Sequence, residues 1–316
     1  MKNWFARWFG TAAPAADVSP ATVPVAQPAA PAHAPAAFDL DLAFHQWLSG
    51  PVAHVGETKD ALILDELAKL ARQPDDAAEL VPRVPAVVPQ LLRSLREEGT
   101  SATELARQVA QDVTLVAEVI REVNSPWYRP TAPVRTIEGA VMLLGQNGLR
   151  MLLARVAFRP VISAQTGRLA RQAAPQLWRH AEKCALAASL AAPSRGADAF
   201  EACLAGLMQN VGLVVALRLI DQVDAAGRLP QSDAFVQALR GHARILSARI
   251  AQQWELPPPV SAAILHEGSP LAQALRIGDR LATLQVLAEA GVEEAQEEVA
   301  ALPADERRIF DKLDES

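Results

Sequence analysis

From Phe38 to the C-terminus apolar residues recur every three to four positions, and no segment alternates apolar with polar residues between hairpin turns. A stripe repeating every 3.6 residues is the buried face of a helix, whereas a half-buried strand needs a period of two. The pattern therefore predicts an all-α chain. DLAFHQWLSG reads as a short helix ended by Gly50, and KDALILDELAKLAR as a second. Val84, Val87, Val88, Leu91, Leu92 and Leu95 share one helical face, which Gly99 stops. Ser101 and Glu104 have capping-box spacing for the next helix. Leu115, Val116, Val119, Ile120 and Val123 mark another face, ended at Asn124-Ser125-Pro126. Thr136 can cap a helix running to Gly145, and Leu149, Leu152, Leu153 and Val156 begin the one after it. A compact bundle of short helices joined by short loops is expected, its core supplied by a composition that is 50% hydrophobic.

The first 37 residues follow other rules. Residues 11–37 are almost uncharged and rich in Ala and Pro, a density of proline that forbids helix and sheet ladders. A disordered, semi-rigid linker of at most about 80 Å is expected, at ~3.1 Å per residue. His33 lies alone in it and reads as solvated. Within residues 1–10, Met1, Trp4, Phe5, Trp8 and Phe9 fall on one side of a helical wheel, opposite Asn3 and Arg7. Ten residues are too few for a stable isolated helix in water, so the peptide is expected to fold against a surface. A membrane, a partner protein and the chain's own body all suit four aromatics with a positive end. The same ten residues lack a continuous apolar core of the kind a secretory signal needs. Elsewhere no apolar run is expected to reach the roughly 18 residues that span a bilayer, since Arg218 interrupts even VGLVVALRLI. The net charge of −6 with a pI near 5.6 argues against a nucleic-acid partner. The two cysteines, Cys184 and Cys203, lie in apolar helical patterns and read as reduced core thiols. A cytoplasmic protein is expected, with membrane contact through the lead peptide as an option.

Two blocks of sequence resemble a known family. The first runs from VPRVPAVVPQLLRSL through LARQVAQDVTLVAEVIREVNSPWY to TIEGAVMLLGQNGLRMLL. The second comprises LWRHAEKCALAASL, FEACLAGLMQNVGLVVAL, GHARILSARIAQQWELP, AAILHEGSP and LRIGDRLATL. In order and spacing they are similar to the two halves of HDOD domains, the HD-related output domains of bacterial signalling proteins. The resemblance implies an HDOD domain over 81–290. Outside it, the helical pattern at 38–80 is expected to form an extension packed on the domain, and 291–316 a charged segment, helical in part.

Active members of the wider HD superfamily hold divalent metals with a spaced His, an adjacent His-Asp pair and a later Asp. Imidazole nitrogens and carboxylates hold the cation, which lowers the pKa of a bound water to make a nucleophile. By the resemblance His180 matches the first ligand and Asp279 the last, while Gln209 and Asn210 stand at the His-Asp pair. The two amides offer neither imidazole nor carboxylate, so no metal and no other cofactor are expected. The four positions are expected to form a hydrogen-bonded cluster instead. His242 and His266 match positions where related domains carry histidine and are expected to line a remnant cleft. His45 and His54 have no ligand at metal-binding spacing and read as structural or solvated. Neither a phosphate-cradling glycine loop nor a nucleophile elbow occurs. The resemblance thus implies a non-enzymatic signalling module that binds other proteins. A metal-dependent phosphohydrolase and a nucleotide sensor that does not hydrolyse are the alternatives.

Overall fold

Each assigned element in the computed structural model is a helix, as the periodicity requires. The structure describes residues 38–50, 57–72, 101–110, 113–125, 128, 130–224 and 229–314. The peptide of residues 1–10, the linker, His54 and the expected Val84–Leu95 face lie outside these. The helices are α1 (Leu40–Ser49), α2 (Glu57–Arg72), α3 (Ala102–Val109), α4 (Val113–Val123), α5 (Ile137–Ser163), α6 (Arg168–Arg195), α7 (Ala199–Met208), α8 (Val211–Val223), α9 (Asp233–Gln253), α10 (Pro258–Leu265), α11 (Pro270–Glu289), α12 (Glu293–Ala300) and α13 (Ala304–Asp314).

Local chemistry sets the boundaries. The Ser101 hydroxyl accepts from the Glu104 amide at 3.2 Å, and the Thr136 hydroxyl from the Gly139 amide at 3.1 Å. Gly145, at φ 66°, breaks α5 where the pattern predicts a stop, and the helix resumes beyond this kink. Asn124 ends α4 and bridges to Val134, donating to its carbonyl at 2.7 Å and accepting from its amide at 2.8 Å. The start of α6 is capped from a distance. Both Asp221 oxygens accept from α6 amides, Leu169 at 2.8 Å and Ala170 at 3.0 Å.

The long helix α6 is the axis on which α1, α5, α7, α8, α11 and α13 pack. Its small residues, including Ala181, Ala185 and Ala188, are fully buried and let neighbours approach closely. A Cβ on Gly278 of α11 would lie 2.7 Å from both the Ala188 Cβ and its backbone nitrogen. A Cβ on Gly206 of α7 would lie 2.6 Å from the Ala185 Cα. Both approaches leave room for hydrogen alone. They hold the residues just beyond those glycines, Gln209 and Asp279, against the middle of α6. A smaller core of Leu281, Leu284, Leu287, Phe310 and Leu313 seats α13 on α6 and α11. Arg155 of α5, 7% exposed, ties α4 to α6 through Glu122 at 2.9 Å and Glu182 at 2.6 Å.

One expectation needs correcting. The span Ala199–Val223 is long and apolar enough by composition to cross a membrane, with a mean hydropathy of 1.8. Within the fold it is α7 and α8, broken at Gln209-Asn210 and 83% buried, so its apolar character is used in the core.

Candidate functional site

The turn between α7 and α8 carries Gln209 and Asn210, and Ser247 of α9 fixes its backbone. The Ser247 hydroxyl donates to the Gln209 carbonyl at 2.6 Å and accepts from the Gly212 amide at 2.8 Å. Gly212 permits the approach, since a Cβ there would meet the Ala243 carbonyl oxygen at 2.0 Å. From this turn the two amide side chains reach α6 and α11. The Gln209 Nε2 donates to Asp279 Oδ1 at 2.8 Å and to the Cys184 Sγ at 2.9 Å. The Asn210 Nδ2 meets His180 Nδ1 at 2.9 Å. The other ring nitrogen, His180 Nε2, lies 3.0 Å from Thr283 Oγ1 and 3.4 Å from Asp279 Oδ1. The structure thus brings together all four residues singled out in the sequence: His180, Gln209, Asn210 and Asp279.

The protonation of His180 follows from its neighbours. Asn210 donates to Nδ1, so Nδ1 carries the lone pair and Nε2 carries the proton. That proton points at the Thr283 hydroxyl and the Asp279 carboxylate. The opposite tautomer would aim a lone pair at a carboxylate. His180 is fully buried, and this burial pushes its pKa below the usual histidine value, against a smaller upward pull from Asp279. The Phe44 ring covers the imidazole at 4.6 Å between centroids.

Asp279 has a cationic neighbour in Arg240 of α9, whose Nη2 is 3.8 Å from Asp279 Oδ2 and 2.8 Å from Asp41 Oδ1 of α1. The Arg240 guanidinium also lies 5.8 Å from the Phe44 ring centroid. Partial desolvation beside the cavity raises the Asp41 pKa, an effect that Arg240 partly offsets and Asp279 reinforces. Above this cluster opens a cavity of about 280 Å³, whose floor includes Gln209, Asp279 and Thr283.

The donor set does not fit a divalent metal. Among the described residues no group of three or more His, Cys, Asp or Glu is placed to hold one. The lone pairs that would face a cation are engaged: Asp279 Oδ1 by an amide hydrogen and His180 Nδ1 by another. Cys184 is a buried free thiol whose pKa burial raises well above the usual value.

His242 and His266 are not among the residues that line the cavity. His242 is two residues from Arg240 and faces another way on α9, where burial and then Arg72 of α2 lower its pKa. His266 ends α10 and is exposed, and it is the adjacent Glu267 that lines the cavity. His45 is buried, with Nε2 2.7 Å from the Pro230 carbonyl, which agrees with a structural role. Sequence reasoning missed Thr283, Ser247 and Arg240. Thr283 follows Asp279 by four residues and so shares its helical face, a signal that was available. Arg240 and Arg244 on α9, and Arg276 and Arg280 on α11, show the same spacing, and all four line the cavity.

Comparison with known proteins bears on the fold. The family model described as HDOD domain matches residues 81–270. An uncharacterized protein of Treponema pallidum (strain Nichols) is 27% identical over 222 residues, 66% of this chain. The match covers 42% of that protein, so this chain corresponds to less than half of its relative. An HDOD domain protein of unknown function from Geobacter sulfurreducens has a similar structure, with a TM-score of 0.58 and 22% identity over 79% of this chain and 94% of its own. A protein from Shewanella amazonensis SB2B, provisionally described as a metal-dependent phosphohydrolase, gives a TM-score of 0.56 at 17% identity over 81% of this chain and 98% of its own. One from Marinobacter aquaeolei VT8, provisionally described as a signal transduction protein, gives 0.54 at 18% identity over 81% of this chain and 66% of its own.

Proposed function

This chain belongs to the HDOD domain family, and from that premise we propose that it is a non-enzymatic signalling module that acts by binding other proteins. HDOD domain proteins are associated with signalling. One observation carries the non-enzymatic reading: the side chains at the four HD positions satisfy one another. Two amide donors take up the Asp279 and His180 lone pairs that would otherwise face a cation. Without a cation, nothing in the cluster lowers the pKa of a water enough to make it a nucleophile near neutral pH. His180 is a poor general base in its place, because it is fully buried and its Nε2 is already protonated. The cluster then fixes α6, α8 and α11 relative to one another, a structural use of an old site.

In this reading the module works in the cytoplasm, and its partner is a signalling protein. Trp4, Phe5, Trp8 and Phe9 form a docking peptide at the end of the Ala/Pro-rich linker. Burial of each aromatic contributes on the order of 1.5–3 kcal/mol before ordering costs, enough for reversible docking. The test compares the full chain with one lacking residues 1–37 in cross-linking from native cells, together with a phosphodiesterase assay in Mn²⁺ and Fe²⁺. A stoichiometric partner that saturates on the full chain, and no cleavage in either metal, is the expected result. Turnover that disappears on Asp279→Asn would overturn the reading.

A further inference from the structure

The cavity above the cluster has a second chemical character, unrelated to metal binding. Two helices each place two arginines on the same face at i and i+4, Arg240 with Arg244 and Arg276 with Arg280, and the four side chains converge on one space of about 280 Å³. Like charges at this spacing repel, so each pair carries a small intrinsic penalty unless an anion offsets it. The acids that face the cavity are Asp41, Glu267 and Asp279. Arg240 is engaged by Asp41 and Asp279. Arg280 is engaged from outside the cavity, by Glu306 at 2.5 Å and Glu298 at 3.4 Å. The other two guanidiniums are less committed. Arg244 gives its Nε hydrogen to the Ile264 carbonyl at 3.1 Å, and Arg276 makes no ion pair with any described residue. Both are exposed and line the cavity, one from α9 and one from α11. Planar guanidiniums from two helices lining one cavity suit the oxygens of a tetrahedral dianion, and Ala263, Ile264, Ala272 and Leu275 supply apolar lining for the group that bears it.

We propose that this cavity binds, without cleaving it, a small phosphate monoester through Arg244 and Arg276, with the Asp41 carboxylate of α1 as a built-in competitor for the same cationic space. Asp41 lies outside the stretch that matches the HDOD family, so this competitor belongs to the extension before the domain. Asp41 reaches Arg240 from the N-terminal turn of α1, whose Phe44 and Leu48 are buried. The helix can therefore stay seated while the exposed Asp41 side chain swings aside. The site is independent of the adaptor reading, and a partner protein is not required for it.

The test uses the full chain and inorganic phosphate as the probe, with sodium chloride at matched ionic strength as the control. The melting temperature and the heat of binding are followed for the parent and for Arg244→Gln, Arg276→Gln, Asp41→Asn and Arg171→Gln, the last an exposed arginine outside the cavity. Saturable phosphate binding is expected, weakened on the order of tenfold by either cavity arginine change, tightened by Asp41→Asn and unaffected by Arg171→Gln. The replaced arginines are exposed, and circular dichroism checks that each variant is folded. Phosphate that stabilises no more than chloride would overturn the proposal. So would affinities that remain the same when Arg244 or Arg276 is lost.

Discussion

The amide that Asn210 presents to His180 is a donor, and this polarity sets the chemistry of the imidazole. A carboxylate at position 210 has no hydrogen to donate, so the Nδ1 lone pair would be left to face a cation that both groups could hold. The Asn210 amide instead occupies that lone pair and leaves the proton on Nε2, so this one side chain offers no carboxylate and blocks its neighbour as well. The four positions were legible in the sequence because each lies in a recognisable stretch. The tautomer was not, since it depends on which atoms meet after packing. A pH effect follows. Burial lowers the pKa of His180, and of His45 as well, below the value of about 6.5 expected in the unfolded chain. Above that pH both states are neutral and the stability is fully present. Below it the unfolded chain takes up protons that the folded chain refuses, so stability falls as pH drops, by up to about 1.4 kcal/mol per pH unit for each histidine. Thermal melts between pH 7.5 and 5.5 should show this fall. His45→Gln, which keeps a donor for the Pro230 carbonyl, should make it shallower. A melting temperature independent of pH over this range would count against the burial argument.

Among the helices, placement depends on close approach to α6. The apolar period gave the helix faces, and the caps at Ser101 and Thr136 and the break at Gly145 fell where the residues said they would. The angles between helices were not legible, because they follow from which small residues oppose each other. The entry of Asp41 from α1 was missed because it depends on those angles. His242 and His266 were expected in the cleft from the resemblance, and neither side chain lines it. The account predicts opposite outcomes for two glycines. Gly278→Ala forces a methyl to within 2.7 Å of the Ala188 backbone nitrogen and 2.8 Å of the Cys184 carbonyl oxygen, and should destabilise by about 1–3 kcal/mol in urea unfolding. Gly241→Ala, on α9 with nothing within 4 Å of the added carbon, should stabilise by about 0.5–1 kcal/mol. Equal effects from the two would mean that the close approach of α11 to α6 is not limiting.

For the whole molecule, fixed groups balance the charge of the cluster. Arg240 lies beside Asp279, and amide hydrogens occupy the lone pairs of the cluster. These contacts tie three helices together, so the fold should not depend on a bound ion. The double change Gln209→His with Asn210→Asp restores an imidazole and a carboxylate at near-constant volume. It also adds a negative charge close to Asp279, which disfavours the variant until a cation enters. Thermal melting of the full chain against Mn²⁺, for the parent and this double variant side by side, tests the central claim most directly. The account predicts a parent melting temperature that does not respond to Mn²⁺, and a variant that starts lower and rises with metal concentration by mass action. A parent that rises with Mn²⁺, with the rise abolished by Asp279→Asn, would show a working metal site and contradict the account.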